Sequence, residues 1–234
     1  MSSSRKIRIN PEYSAQRRSQ LPNPALRSAL AALAFVRDHS RNLGKVADLG
    51  CGKLRHYRLL AAKSDTLFLV DTPTQISSIH VDNGSTYTIS QVAESARRRG
   101  RKVNVLLAED FVQATLELDV IFCVAVFDVV PRKTRRVITR AAAQNLSPEG
   151  HLVVIAPRND STILQRCSRK NAYLDGYVFG HTGIHTFFHN FRRYDDIVRD
   201  CANEGLFLVS DLSRYRQVCL IFGVTKPKTR QGIA

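Results

Sequence analysis

The chain has no C-x-x-C pair, and its five cysteines (Cys51, Cys123, Cys167, Cys201, Cys219) are scattered and odd in number. That spacing argues against a disulfide framework and a zinc ribbon, and predicts mostly buried, reduced thiols that pack as small hydrophobes. Long hydrophobic runs are also missing. The longest, Val120 to Phe127, falls far short of the roughly 20 residues a membrane helix needs. The basic start Ser2-Ser3-Ser4-Arg5-Lys6 is followed by no apolar signal core, so a cytoplasmic protein without a membrane partner is expected. No internal repeat is visible.

What remains is ordinary in amount and unusual in charge. With 234 residues, 44% of them apolar and 24% charged, the chain suits one α/β domain with a full core. Lys and Arg number 35 against 20 Asp and Glu, a formal net charge of +15. Such an excess favours polyanions, chiefly nucleic acid, through phosphate contacts and counterion release. A soluble protein that is merely basic would show the same balance, because the charge is spread widely.

Residues 1–22 are polar and basic, with almost no apolar periodicity, and read as a flexible arm. Pro22-Asn23-Pro24 then opens a helix, and Leu26, Leu30, Leu33 and Val36 form its apolar stripe. Strand-like runs follow at 46–49, 67–70, 103–107, 120–126 and 151–156. Helical segments lie between them, at about 54–62, 88–99 and 133–145. Continuous apolar strands separated by helices predict a parallel sheet covered on both faces. Near the end, Leu206 to Ser210 and Val218 to Phe222 are joined by too few residues for a crossover helix. They must therefore be antiparallel. Residues 225–234 form a basic tail.

The most informative stretch is Asp48-Leu49-Gly50-Cys51-Gly52, followed by the strand Leu67-Phe68-Leu69-Val70-Asp71. Two glycines let backbone approach a ligand closely, and a helix N-terminus beyond them adds inward-pointing N–H groups. An acid ending the next strand can accept hydrogen bonds from both hydroxyls of a ribose. A nicotinamide site would share this outline. However, its fingerprint needs Gly or Ala three residues after the second glycine, where Arg55 stands.

In this order and spacing the chain, from residue 23 to 224, resembles a class I S-adenosylmethionine-dependent methyltransferase of the Rossmann-like superfamily. Asp48-Leu49-Gly50-Cys51-Gly52 resembles the family's D-x-G-x-G turn, with Leu54 where a third glycine is usual. Glu109-Asp110-Phe111 resembles the third motif, and Leu146-Ser147-Pro148-Glu149-Gly150 the turn before the fifth strand, with Glu149 replacing a glycine. The resemblance implies a three-layer α/β sandwich, with a mostly parallel seven-stranded sheet and an antiparallel C-terminal hairpin. It implies S-adenosylmethionine as cofactor, held by Asp48, Gly50, Cys51, Gly52, Asp71, Asp110, Phe111 and Val124. The methyl acceptor it leaves open, with RNA or a small molecule favoured. The contrasting reading is a basic nucleic-acid-binding protein whose cofactor pocket is vestigial.

On the acceptor side, Asp128 is the nearest ionisable group after the fourth strand and is the candidate base, although a helix-capping role fits it as well. His181, His185 and His189 recur every four residues, but Gly180 and Gly183 argue against the continuous helix a metal site there would need. With Tyr173, Tyr177 and Phe179 they are expected to form part of the acceptor pocket wall. Two basic clusters, Arg97 to Lys102 and the stripe Arg132, Arg136, Arg140, join Arg5, Lys6, Arg8, Arg17 and Arg18 as a possible RNA-facing surface.

Overall fold

A computed structural model describes residues 26–37, 42–82, 85–158, 172–179, 186–189, 194–214 and 217–224. The apolar runs pair as strands: β1 (Lys45–Leu49), β2 (Thr66–Asp71), β5 (Lys102–Leu107), β6 (Leu118–Val124) and β7 (Leu146–Pro157) are all parallel. β11 (Phe207–Asp211) and β12 (Gln217–Gly223) complete a seven-stranded sheet in the order β5-β2-β1-β6-β7-β12-β11. β12 inserts between β7 and β11 and runs against both, so it is the reversed strand of this sheet. β1 lies between β2 and β6, with Val46 opposite Leu67 on one side and Val120 on the other. At this point the strand order changes direction, and the carboxyl ends of the strands open a crevice.

Alternation along each strand sorts the core into two layers. Val46, Leu67, Leu69 and Phe122 pack with α1 (Leu26–Arg37), α2 (Tyr57–Ala61) and α4 (Ile89–Arg98). Ala47, Leu49, Ile121 and Cys123 face α5 (Ala108–Gln113), α6 (Arg132–Asn145) and α7 (Asp195–Asn203). α4 begins with a reciprocal capping box. The Thr88 hydroxyl accepts from the Gln91 N–H at 3.2 Å, and the Gln91 side chain accepts from the Thr88 N–H at 2.8 Å. Smaller elements decorate the rim: α3 (Pro73–Ser77), the hairpin of β3 (His80–Asp82) and β4 (Ser85–Tyr87), and a second sheet in which β9 (Gly176–Phe179) lies between β8 (Ala172–Tyr173) and β10 (Thr186–Phe188). No helix among the described residues is long and apolar enough to cross a membrane. Cys51, Cys123, Cys201 and Cys219 are buried free thiols, and Cys167 lies outside the described residues.

Four local expectations shift. On α1 the buried face is Ala29, Ala32 and Leu33, and Leu30 is left 47% exposed. Small alanines let the helix lie close against the sheet. The helix expected over 54–62 shrinks to Tyr57–Ala61, because Leu54 adopts a left-handed φ of 57°. β6 stops at Val124, where Ala125 turns left-handed at φ 56°. β7 starts five residues early. Its pairing jumps from Leu118–Leu146 to Val120–His151, leaving the Pro148-Glu149-Gly150 turn as an irregularity within the strand. A Cβ on Gly150 would sit 2.5 Å from the Leu118 carbonyl oxygen, so only glycine fits there. The arm (1–22) and the tail (225–234) lie outside the described residues.

Candidate functional site

The glycine turn is built from backbone hydrogen bonds between the ends of β1 and β2. The Gly50 and Cys51 N–H groups both donate to the Val70 carbonyl, at 2.8 and 3.2 Å. Gly50 needs φ +75°, and a Cβ there would meet Val126 Cγ2 at 2.3 Å, so the turn is closed to any side chain. Asp71 then ties the turn down. Its Oδ2 accepts from the Gly52 N–H at 2.7 Å and its Oδ1 from the Thr72 N–H at 2.8 Å. From the β4 side, the Tyr87 hydroxyl donates to the Lys53 carbonyl at 3.0 Å and steadies the far limb of the loop.

Asp48 sits beneath this turn, 2% exposed, and among the described residues its Oδ2 has no hydrogen-bond partner. Burial, reinforced by the nearby Asp71 charge, pushes its carboxyl up to about 7. The Cys51 thiol is also raised, by burial and then by the Asp71 and Asp48 charges, so it is protonated and unreactive. His56 is the other perturbed group: burial, with Arg55 beside it, lowers the imidazole to about 4. It is neutral at physiological pH.

These elements border a cavity of about 440 Å³ at the carboxyl ends of β1, β2, β6 and β7. Gly50, Cys51, Gly52, Lys53, Arg55, His56, Asp71, Thr72 and Gln75 form its polar end. Ala108, Glu109, Phe111 and Val112 of α5 form a second wall. Val124, Ala125, Val126, Val129 and Val130, with Thr134, Val137, Ile138 and Ala141 of α6, form an uncharged remainder. Gln217 closes one side. The Ser28 hydroxyl of α1 donates to it, so the first helix is pinned to the first residue of β12.

Of the residues expected at the cofactor, Gly50, Cys51, Gly52, Asp71, Phe111 and Val124 line this cavity, and Asp48 lies buried beneath it. Asp110 does not line it. Ala108, Glu109, Phe111 and Val112 share the inner face of α5, which turns Asp110 outward to solvent, and Glu109 is the acid that faces inward.

Asp128 is also absent from the lining. The left-handed turn at Ala125 points Val126, Val129 and Val130 at the cavity and sends Phe127 and Asp128 into the interior, where Asp128 is 0% exposed. Its carbonyl accepts from the His189 N–H at 2.7 Å. His181 and His185 lie outside the described residues, and the described part of β8–β10 contributes no lining. Phe188, in ring contact with Phe179 at 5.9 Å, instead packs behind Val129 and Val130 and supports the wall from outside.

This outer support is polar at its centre. Arg135, 3% exposed, donates to the Phe127 and Val130 carbonyls at 3.1 and 2.8 Å and pairs with Asp175. Asp175 also accepts from the Arg132 N–H at 3.1 Å and meets His189 Nδ1 at 3.3 Å. Burial would raise its carboxyl, but these partners hold it well below the usual range.

Two cations of the α6 stripe are paired by α7 and the residue after it: Arg132 binds Asp200 with two hydrogen bonds at 2.8 and 2.9 Å, and Arg140 binds Glu204 at 3.0 and 3.1 Å. The Arg97 to Lys102 cluster lies at the start of β5, about 17 Å of strand away from the cavity end. The Arg97 to Lys102 cluster thus stands away from the site, whereas the α6 stripe borders it at Val137.

No family model matches the sequence, and neither does any curated protein. Solved structures do match in shape. DhpI in complex with S-adenosylhomocysteine is 16% identical, with a TM-score of 0.59 over 91% of this chain and 93% of that one. The fold is that of the class I S-adenosylmethionine-dependent methyltransferases. A Burkholderia thailandensis 1,6-didemethyltoxoflavin-N1-methyltransferase with S-adenosylhomocysteine bound is 13% identical (TM-score 0.59, 92% and 84% covered). The magnesium protoporphyrin IX methyltransferase of Synechocystis, also with S-adenosylhomocysteine, is 14% identical (TM-score 0.56, 92% and 94% covered). In this methyltransferase fold the sequence pattern left His56, Gln75, Thr134 and Gln217 unmarked. Only Glu109 had a usable signal, since it falls on the same helical face as Val112.

Proposed function

We propose that the protein transfers a methyl group from S-adenosylmethionine to a small organic acceptor. The observation that carries this reading is the Asp71 carboxylate, fixed against the Gly50-Cys51-Gly52 turn at the polar end of a cavity whose far wall is built from valines, Ile138 and Ala141. The residues present fit the cofactor. Gly52 leaves room for it, and Asp71 suits ribose hydroxyls. Glu109 and Phe111 suit an adenine, and the unpartnered Oδ2 of Asp48 suits an ammonium group. Bound there, the cofactor supplies an electrophilic methyl on a sulfonium. The chain's part is to align the acceptor and exclude water.

The uncharged remainder of the cavity supports a small acceptor, since its valine, isoleucine and alanine side chains offer an apolar wall beside the cofactor end. Two neighbours of the same fold are named for small acceptors, a didemethyltoxoflavin and a magnesium porphyrin. Calorimetry with S-adenosylmethionine and S-adenosylhomocysteine tests the first half, and absence of binding would favour a vestigial pocket. A tritiated-methyl assay on fractionated cell extract tests the second. Label in the small-molecule fraction is expected, and label in RNA, DNA or protein overturns the acceptor class.

A further inference from the structure

Helix α6 turns two adjoining faces onto two cavities. Thr134, Val137, Ile138 and Ala141, spaced i, i+3, i+4, i+7, line the apolar part of the site described above. One residue earlier in register, Lys133, Arg136, Val137 and Arg140 line a second cavity of about 490 Å³ between α6 and α7, with Arg132, Asp200 and Asn203. Val137 belongs to both and is 46% exposed, an apolar residue at the junction of an apolar pocket and a cationic groove.

The groove keeps a positive surplus. Around it five cations, the four of α6 that line it (Arg132, Lys133, Arg136 and Arg140) and Arg199, face three acids, Asp196, Asp200 and Glu204. Asp200 gives both oxygens to Arg132 at 2.8 and 2.9 Å, which leaves Arg136 only a 3.7 Å approach to it. Lys133 has no ion pair among the described residues, and both Lys133 and Arg136 are exposed. Two cations thus stand available beside the apolar cavity, while Arg132 is locked in place behind them.

We infer that the methyl acceptor is amphipathic: its apolar body fills the pocket past Val137, and its carboxylate or phosphate end lies in the α6 groove on Lys133 and Arg136. This rests on the small-acceptor reading above and adds the sign and position of a charge to it. Guanidinium and ammonium donors make charge-assisted hydrogen bonds to such a group, and partial desolvation beside Val137 strengthens them.

The test uses two probes that share one apolar body, 2-naphthoate and 2-naphthamide, titrated directly into the whole protein with S-adenosylhomocysteine present. The acid is expected to bind about tenfold more tightly than the amide. Lys133→Gln with Arg136→Gln removes that preference while leaving naphthamide and S-adenosylhomocysteine affinities unchanged. Val137→Asp, placed at the shared rim, weakens naphthoate more than naphthamide. Inorganic phosphate competes with naphthoate and not with naphthamide. Equal binding of acid and amide to the wild type, a parallel loss of both in the double variant, or phosphate binding that leaves naphthoate in place overturns the inference. Failure of S-adenosylhomocysteine to bind tells against the cofactor alone, because the acid–amide comparison can be repeated without it.

Discussion

The N–H of Gly52 donates to Oδ2 of Asp71 at 2.7 Å, so the acid ending the second strand holds the glycine turn of the first. Asp71 is only 8% exposed and also accepts from Thr72. Asp71→Ala therefore acts twice. Two backbone N–H groups lose their acceptor, at a cost of about 1–3 kcal/mol each where water cannot replace it. The ribose site loses its carboxylate as well. Affinity for S-adenosylhomocysteine is expected to fall at least about tenfold by calorimetry, with a lower midpoint in urea. Unchanged affinity would remove Asp71 from the cofactor site.

Gly50→Ala probes the other side of the same contact. The substitution adds a methyl 2.3 Å from Val126 Cγ2 at a φ of +75°, where an L residue costs roughly 1–2 kcal/mol. Val126 must move, and it lines the cavity. Cofactor binding should suffer more than stability does. A variant that binds S-adenosylhomocysteine as the wild type does would show that the turn tolerates a side chain.

The order of elements was legible in the sequence wherever burial alone decides structure. Parallel strands covered on both faces need apolar runs, and Leu67 to Val70 of β2, Val120 to Val124 of β6 and Leu152 to Ala156 of β7 supply them. The seven residues linking the last two strands forbade a crossover. Less was legible where a single backbone angle redirects a segment. Leu54 stands in the left-handed region at the position where a glycine is usual, and nothing in its chemistry announces that. Ala125 does the same at the end of β6, and that turn decides that Val129 and Val130 reach the cavity and Asp128 does not. The α6 stripe was visible as charge, but which of its cations are paired depends on Asp200 and Glu204, sixty or more residues later in the chain.

Two buried groups predict opposite pH limbs. Asp48 has a folded value of about 7 against an ordinary 3.8, so the folded state binds a proton that the unfolded state releases. Its contribution is favourable below 3.8 and falls as pH rises to 7, by up to about 4 kcal/mol. Asp48→Asn should therefore gain stability over the wild type between pH 4 and pH 7, with the gap constant above that. His56 is lowered from 6.5 to about 4, so the unfolded state takes up the proton that the folded state refuses. Stability is lost as pH falls from 6.5 to 4, by up to about 3 kcal/mol, and His56→Gln should flatten that limb. Urea unfolding of both variants across pH 4–8 measures the gaps, and curves parallel to the wild type contradict both assignments.

Arg135 offers the sharpest test of how the wall of the site is held. The guanidinium is 3% exposed and joins three pieces of chain: the Phe127 and Val130 carbonyls after β6, its own helix α6, and Asp175 ahead of β9. Removing it leaves a half-buried carboxylate facing His189 and two carbonyls without their donor. Breaking a buried pair from one side costs about 3–5 kcal/mol. Arg135→Met keeps the apolar stem, so its loss isolates the charge and the hydrogen bonds from the packing. The wall residues Val129 and Val130 depend on those bonds, whereas Gly50, Gly52 and Asp71 do not. Arg135→Met is therefore expected to unfold at lower urea and to bind naphthamide more weakly, yet to bind S-adenosylhomocysteine within about twofold of the wild type where it remains folded. Equal losses for both ligands would mean that the acceptor wall and the cofactor turn are one mechanical unit.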